Sequence, residues 1–357
     1  MRCMTPSPQF SLVLGGGGLK GLAHIGVLRA LEENGLVPEA VVGCSIGGLI
    51  AGAWATGMPI DEMEERALAI RRQDVFRIAH LDMALKRMLA PAVYRPEPLD
   101  ALIHSLVGDT TFDALPRRLV VNTVDLNTGQ QLLWGLPGLK DARVADAVFA
   151  SCALPGIWPP RVINGHVCVD GAVIENLPVR AALVLSTGPI IAVDVGGAGA
   201  IRLGVERHGF AATYTRGLEI VMRTLSEELL RDWETPPIVL VRPKVERISM
   251  FAFNRTPFLV AEGYRAMNQA LDRLPTTLDR LPPGIHPQHQ VELSIDPIRC
   301  VGCGVCVAQA PGMFEWGPGG KARVHSVHQR WSPLGERIVS ACPTGAISAV
   351  NAARAVR

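Results

Sequence analysis

The chain has 357 residues, 48% of them hydrophobic and 19% charged, which excludes a disordered or fibrous protein and suggests two domains, or three. A formal net charge of +2 is too balanced for a nucleic-acid footprint, so no nucleic-acid partner is expected. The eight cysteines are unevenly placed: Cys3, Cys44, Cys152 and Cys168 are scattered, whereas Cys300, Cys303, Cys306 and Cys342 crowd the far end, so the two ends should do different chemistry.

The first residues carry Arg2 and a short apolar run, Phe10–Leu14, that stops at four glycines and Lys20. A secretion signal would need a longer apolar core and a small-residue cleavage site, so none is expected. Ser11–Leu14 reads as a strand and Lys20–Asn34 as a helix stopped by Gly35. Residues 40–60 hold no charge and could imitate a membrane span. Five glycines and Ser45 at a sharp turn instead predict a buried strand, Ala40–Val42, and a buried helix, Ile46–Thr56. The expectation is a soluble, cytoplasmic chain.

Pro59–Val107 reads as mostly helical, with a solvated charged face. Strands follow at Leu119–Val124, Leu132–Trp134, His166–Val169, Ile190–Val195 and Ile238–Val241, with helices between. Apolar strands alternating with helices predict an α/β fold, a mostly parallel sheet covered on both faces. Residues 275–290 hold four prolines, which remove backbone donors, and read as a linker between a 1–274 domain and a 291–357 tail. A unit as small as that tail needs a staple.

Gly43-Cys44-Ser45-Ile46-Gly47 fits G-x-S-x-G between strand and helix, where flanking side chains would clash in the tight turn that exposes a serine hydroxyl. The helix N-terminus then favours developing negative charge. Gly15–Gly18, with Lys20 and Gly21, links the first strand to the first helix, and its N–H groups can converge on an oxyanion. Gly16-x-Gly18-x-x-Gly21 is also a dinucleotide fingerprint, but the second strand ends in Val42-Gly43 without the acid that would hold a ribose. The Walker pattern fails because Gly21, not Ser or Thr, follows Lys20. Asp170 follows the run His166–Val169, which predicts a partly desolvated carboxylate and hence a better base. The competing base is a histidine, and His24, His80, His104 and His208 are the candidates.

On these motifs the first ~270 residues resemble a patatin-like phospholipase. The glycine loop, Gly43–Gly47 and Asp170-Gly171-Ala172 occur in the order that family uses, supported by Ala150–Pro155 and Asn176-Leu177-Pro178. The resemblance implies a Ser45–Asp170 dyad without histidine, an oxyanion hole at Gly16, Gly17 and Gly18, and hydrolysis of phospholipid, lysophospholipid or another acyl ester. Lys20 stands where arginine is commoner, and Ala172 replaces a frequent glycine. Met250, Phe251, Phe253 and Phe258, around Arg255, read either as the lining of an acyl channel or membrane contact at the inner face, or as ordinary core and rim.

Cys300-x-x-Cys303-x-x-Cys306 followed by Cys342-Pro343 is the pattern of thiolates wrapping an iron–sulfur cube. Four-cysteine zinc is the alternative, but zinc sites use paired C-x-x-C knuckles. The tail resembles a bacterial-type ferredoxin, a small α+β domain. Two-cluster members would carry a cysteine at position 310, where this chain has Ala310, so the resemblance implies one [4Fe–4S] cluster. The tail has seven Lys or Arg against four Asp or Glu, suited to an acidic redox partner or an anionic surface. Ester hydrolysis moves no electrons, which leaves three roles open: a redox sensor gating the hydrolase, an electron-transfer module, or a structural staple. The alternative to a hydrolase is an electron-transfer protein whose patatin-like part only binds lipid or protein.

Overall fold

The computed structural model describes residues 9–78, 92–196 and 204–351. Arg2, Cys3, His80, Arg354 and Arg357 lie outside the described residues. In chain order the first unit runs β1 (Ser11–Leu14), α1 (Ala23–Glu33), β2 (Ala40–Cys44), α2 (Ile46–Ala55), α3 (Ile60–Ala69), α4 (Pro96–Val107), β3 (Arg118–Asp125) and β4 (Gln131–Trp134). It continues with α5 (Val144–Cys152), β5 (Arg161–Ile163), β6 (His166–Asp170), α6 (Ala172–Glu175), α7 (Val179–Leu183), β7 (Ile190–Val193), α8 (Gly209–Leu230), β8 (Ile238–Val241), α9 (Thr256–Asp272) and β9 (Ile285–His286).

These strands form one sheet in the order β5-β6-β3-β2-β1-β7-β8-β9, with β4 paired beside β3. From β3 to β9 every pairing is parallel, while β6 and β4 meet β3 antiparallel. The expected α/β class and mostly parallel sheet hold. Strands β1, β2 and β7 are buried along their whole length, which explains their continuous apolar runs. Helix α2 is buried at every position from Gly47 to Ala55, the pattern of a helix apolar on all sides inside a core. The uncharged stretch 40–60 is therefore strand, turn and core helix. Among the described residues no helix is long and apolar enough to cross a membrane.

Two expectations need correction. Lys20–Asn34 is not one helix: a 3-10 turn, Gly18–Leu22, precedes α1 and lets the glycine loop curl over the sheet end. The proline-rich stretch 275–290 is not a free linker. Leu278 and Leu281 are buried, and β9 adds to the sheet beside β8, with Ile238 donating to the Gly284 carbonyl at 3.0 Å. Pro282, Pro283 and Pro287 flank this short edge strand, where a missing donor costs nothing.

Only Pro287 and Gln288 separate β9 from the second unit. There β10 (His289–Ile295) lies between β13 (His328–Trp331) and β14 (Ile347–Asn351) in an antiparallel sheet. Helices α10 (Val305–Gln309) and α11 (Glu336–Ala341) and the hairpin of β11 (Phe314–Trp316) and β12 (Ala322–Val324) complete it. Phe314, Trp331, Leu293 and Ile347 form its small core. Arg242, just past β8, donates to the Pro333 carbonyl of this unit at 3.0 Å, and Leu334 packs against the first unit's apolar cluster around Leu230.

Candidate active site and cluster site

Ser45 stands between β2 and α2 with φ 55° and ψ −127°, a left-handed backbone that a non-glycine residue holds only when its surroundings enforce it. The enforcement is visible. The Ser45 N–H donates to Ser151 Oγ at 2.8 Å, and Ser151 donates in turn to the Asn122 carbonyl at 2.7 Å. A Cβ at Gly47 would lie 2.1 Å from the Leu14 carbonyl, so α2 approaches β1 this closely only with glycine there. Gly21, Gly43 and Gly171 lie flush against Ile46, the Gly47–Gly48 backbone and Asn122.

Asp170 ends β6 and is buried. Its Oδ1 accepts the Ala172 N–H at 2.9 Å and the Cys44 thiol at 3.6 Å, and Asp170 lines the same cavity as Ser45. Burial raises its pKa from 3.8 to about 6, against the opposing pull of those donors. The same burial, with the Asp170 charge, pushes the Cys44 thiol well above its usual range, so Cys44 stays protonated beside the serine. His24 is buried and its Nε2–H donates to the Gly15 carbonyl at 2.8 Å. Burial lowers its pKa to about 4, which keeps it neutral. No histidine lines the cavity at Ser45 among the described residues.

The glycine loop folds against the serine, and a Cβ at Gly16 would come within 3.1 Å of Ser45 Cβ. Its donors are not equivalent. Gly15 N–H bonds the Val193 carbonyl at 3.0 Å and Gly16 N–H bonds the Asn176 carbonyl at 3.1 Å. Asn176 Nδ2 returns a bond to the Gly16 carbonyl at 3.2 Å. The N–H of Gly16 is thus committed, whereas those of Gly17 and Gly18 have no acceptor among the described residues. Lys20 is buried, and its ammonium reaches the Gly196 carbonyl at 3.4 Å.

Ser45, Asp170, Gly16–Gly18 and Lys20 share a cavity of about 140 Å³. One wall is polar, with Asp194, Glu219 and Arg223; the rest is apolar and runs between α2, α3 and α4 past Leu49, Met63 and Leu102. Of the residues around Arg255, Met250 and Phe251 line it, and Phe251 and Phe253 pack edge-on against Phe76 at 5.3 and 5.8 Å. Phe258 is exposed on α9, away from the lining.

In the second unit Cys300 and Cys306 are buried, Cys303 is exposed and Cys342 is half-buried just after α11. Gly302 and Gly304, both in left-handed conformations, turn the chain between the first three cysteines. Cys342 Sγ accepts the Ala346 N–H at 3.2 Å and meets Thr344 Oγ1 at 3.6 Å. Burial pushes that thiol up, but these donors outweigh it and its pKa falls below the usual value. Among the described residues no three His, Cys, Asp or Glu side chains close on a single metal ion. A cube of iron and sulfide takes its thiolates at separate corners, and four cysteines with amide donors aimed at sulfur are the chemistry it requires.

Residues 12–183 match the family model for patatin-like phospholipase, and residues 295–349 match that for the 4Fe-4S single cluster domain of Ferredoxin I. The chain joins a patatin-like domain to a ferredoxin domain. An uncharacterized NTE family protein of Mycobacterium tuberculosis is 29% identical over 285 residues, covering 75% of this chain and 47% of that protein. Lysophospholipase NTE1 of Mycosarcoma maydis is 31% identical over 191 residues, 53% of this chain and 10% of its own length. VipD from Legionella pneumophila, a solved structure, is 14% identical with a TM-score of 0.40, covering 75% of this chain and 67% of that one. The chain spans about half the length of the curated relatives it first matches.

The patatin-like site contains residues that the motifs did not single out. Ser151 lies inside the Ala150–Pro155 run and Asn176 opens Asn-Leu-Pro, so both sat in recognised strings without an assigned task. Asn122 braces the other side, donating to the Glu175 carbonyl at 2.9 Å. Arg223 lies in an amphipathic helix and carries no sequence signal at all.

Proposed function

We propose that the patatin-like domain is a serine hydrolase of fatty-acyl esters of the phospholipid or lysophospholipid type. The observation that carries this reading is Ser45, held on a strained elbow, lining the same apolar cavity as the buried Asp170 carboxylate. Asp170, ionised above about pH 6, takes the serine proton as Oγ attacks the ester carbonyl. The carbonyl oxygen gains the negative charge, and the N–H groups of Gly17 and Gly18 with the N-terminus of α2 stabilise it, each donor contributing ~3–4 kcal/mol. Collapse expels the alcohol, which receives the proton from Asp170. Water then repeats the cycle on the acyl-serine, with Asp170 again the base, and releases the fatty acid. The apolar wall holds the acyl chain at the reacting carbon.

Cys300, Cys303, Cys306 and Cys342 hold one [4Fe–4S] cluster, which supplies one-electron chemistry and cross-links a unit with a small core. Hydrolysis routes nothing through it. The chain acts on lipid at a membrane surface, and the basic tail suits an acidic redox partner.

Reaction with a fluorophosphonate followed by peptide mapping tests the reading. Labelling at Ser45, lost in Ser45→Ala and accompanied by loss of lysophospholipid hydrolysis, is the expected outcome. An unlabelled, inactive wild-type chain would favour the electron-transfer alternative.

A further inference from the structure

Helix α8 leans on the catalytic elbow: Met222 packs against Cys44 and Ala172, the neighbours of Ser45 and Asp170. The next residue, Arg223, therefore reaches the same cavity at the polar end of its lining. Of the carboxylates around it, Asp170 and Asp194 are engaged elsewhere and Glu219 is engaged through one oxygen. Asp194 is bridged by Arg242 at 3.0 Å and accepts the Gly196 N–H at 3.0 Å. Glu219, one turn earlier on α8, is paired with Arg216 through Oε2 at 3.1 Å, while its Oε1 is buried and makes no hydrogen bond among the described residues. Asp170 faces Ser45. Lys20, the other cation of this wall, rests on the Gly196 carbonyl.

Arg223 is the less satisfied of the two cations. Its Nε is buried without any hydrogen-bond partner, and among the described residues its guanidinium makes no ion pair. A guanidinium is always charged and its planar fork is shaped for two oxygens of a phosphate or carboxylate. Holding one unpaired at the edge of an apolar cavity costs stability unless a ligand supplies the anion. The apolar wall offers none, and the acyl ester itself is neutral.

We propose that Arg223 is the residue that reads the substrate's head group: it binds the phosphate of a phosphate-bearing acyl ester and so favours such esters over neutral ones. This rests on the hydrolase reading and adds a specificity determinant to it. The phosphate sits at the polar wall of Lys20 and Arg223 while the acyl chain fills the apolar wall, which sets the ester carbonyl between them at Ser45. Arg223 is a binding residue; the proton transfers remain with Asp170.

The measurement is the ratio of kcat/KM for lysophosphatidylcholine to that for a monoacylglycerol of the same acyl chain, using the full-length chain with its cluster. Arg223→Gln should lower this ratio roughly 30-fold, the value of a charge-assisted hydrogen-bonded pair, and Arg223→Lys should recover part of it. A loss of packing or folding would depress both substrates together and leave the ratio where it was, which would overturn the proposal. A ratio unaffected in both variants while Ser45 still labels with fluorophosphonate overturns the head-group role and spares the hydrolase. A wild-type chain that cleaves neither ester and does not label overturns the hydrolase reading and this inference with it.

Discussion

Replacing Asp170 by asparagine separates the carboxylate's chemistry from its cost to the fold. Folding moves its pKa from 3.8 to about 6, chiefly through burial. Between those values the folded chain keeps a proton that the unfolded chain has released, so stability falls as pH rises through this window. At 1.36 kcal/mol per unit, the ionised carboxylate costs the fold about 3 kcal/mol above pH 6. Asparagine keeps an oxygen for the Ala172 N–H and carries no charge to desolvate. Asp170→Asn should therefore be more stable than wild type by about 2–3 kcal/mol at pH 8, with the advantage gone by pH 4. Urea unfolding of both chains at pH 4, 6 and 8 reads the difference, and the comparison cancels every other titrating group. Over the same range kcat should drop by about 10²–10⁴ in the variant, the usual contribution of a general base. Wild-type kcat/KM should fall tenfold per pH unit below about 6. A stability difference that does not vary with pH, or a wild-type rate flat through pH 6, would refute the argument.

Three further outcomes follow from the same geometry. Ser151→Ala strands the Ser45 N–H and the Asn122 carbonyl, so kcat should fall roughly 10–100-fold as the nucleophile loses its bearing; unaltered kcat would show that the elbow holds itself. Gly47→Ala drives a methyl group into the Leu14 carbonyl and should cost more than about 4 kcal/mol, seen as lost soluble yield or a collapsed melting temperature; a wild-type melting curve contradicts the packing described. Iron and sulfide analysis of chain purified without oxygen should give about four of each, and Cys342→Ala should abolish the cluster's visible absorbance. Two of each, or zinc, would contradict the single cube.

The nucleophile elbow was legible in the sequence because its constraints are local: Gly43 and Gly47 are needed within two residues of Ser45, by the same turn that they reveal. Asp170 was legible for a similar reason, at the end of an apolar strand with its capping Ala172 two residues on. What escaped reading depends on contacts between distant segments. Gly16 and Asn176 are 160 positions apart, and only their pairing shows that Gly16 has spent its donor. Ser151 reaches Ser45 across 106 positions. Arg223 resembles any arginine on an amphipathic helix until its neighbours' partners are known. The proline-rich stretch misled because proline forbids donation, whereas β9 mostly needs to accept, as its bond from Ile238 through Gly284 shows.

That last strand bears on how the chain can be divided. A fragment ending at Leu274, where the prolines begin, would strip β9 from the sheet and leave the apolar backbone edge of β8 open. Such an edge recruits other edges, and the fragment would be expected to aggregate. Ending at Pro287 keeps the edge capped. Even then the cut removes the Pro333 carbonyl from Arg242 and Leu334 from the cluster around Leu230, exposing an apolar scar that the second unit ordinarily shields. The second unit thus covers part of its neighbour's apolar surface through Leu334.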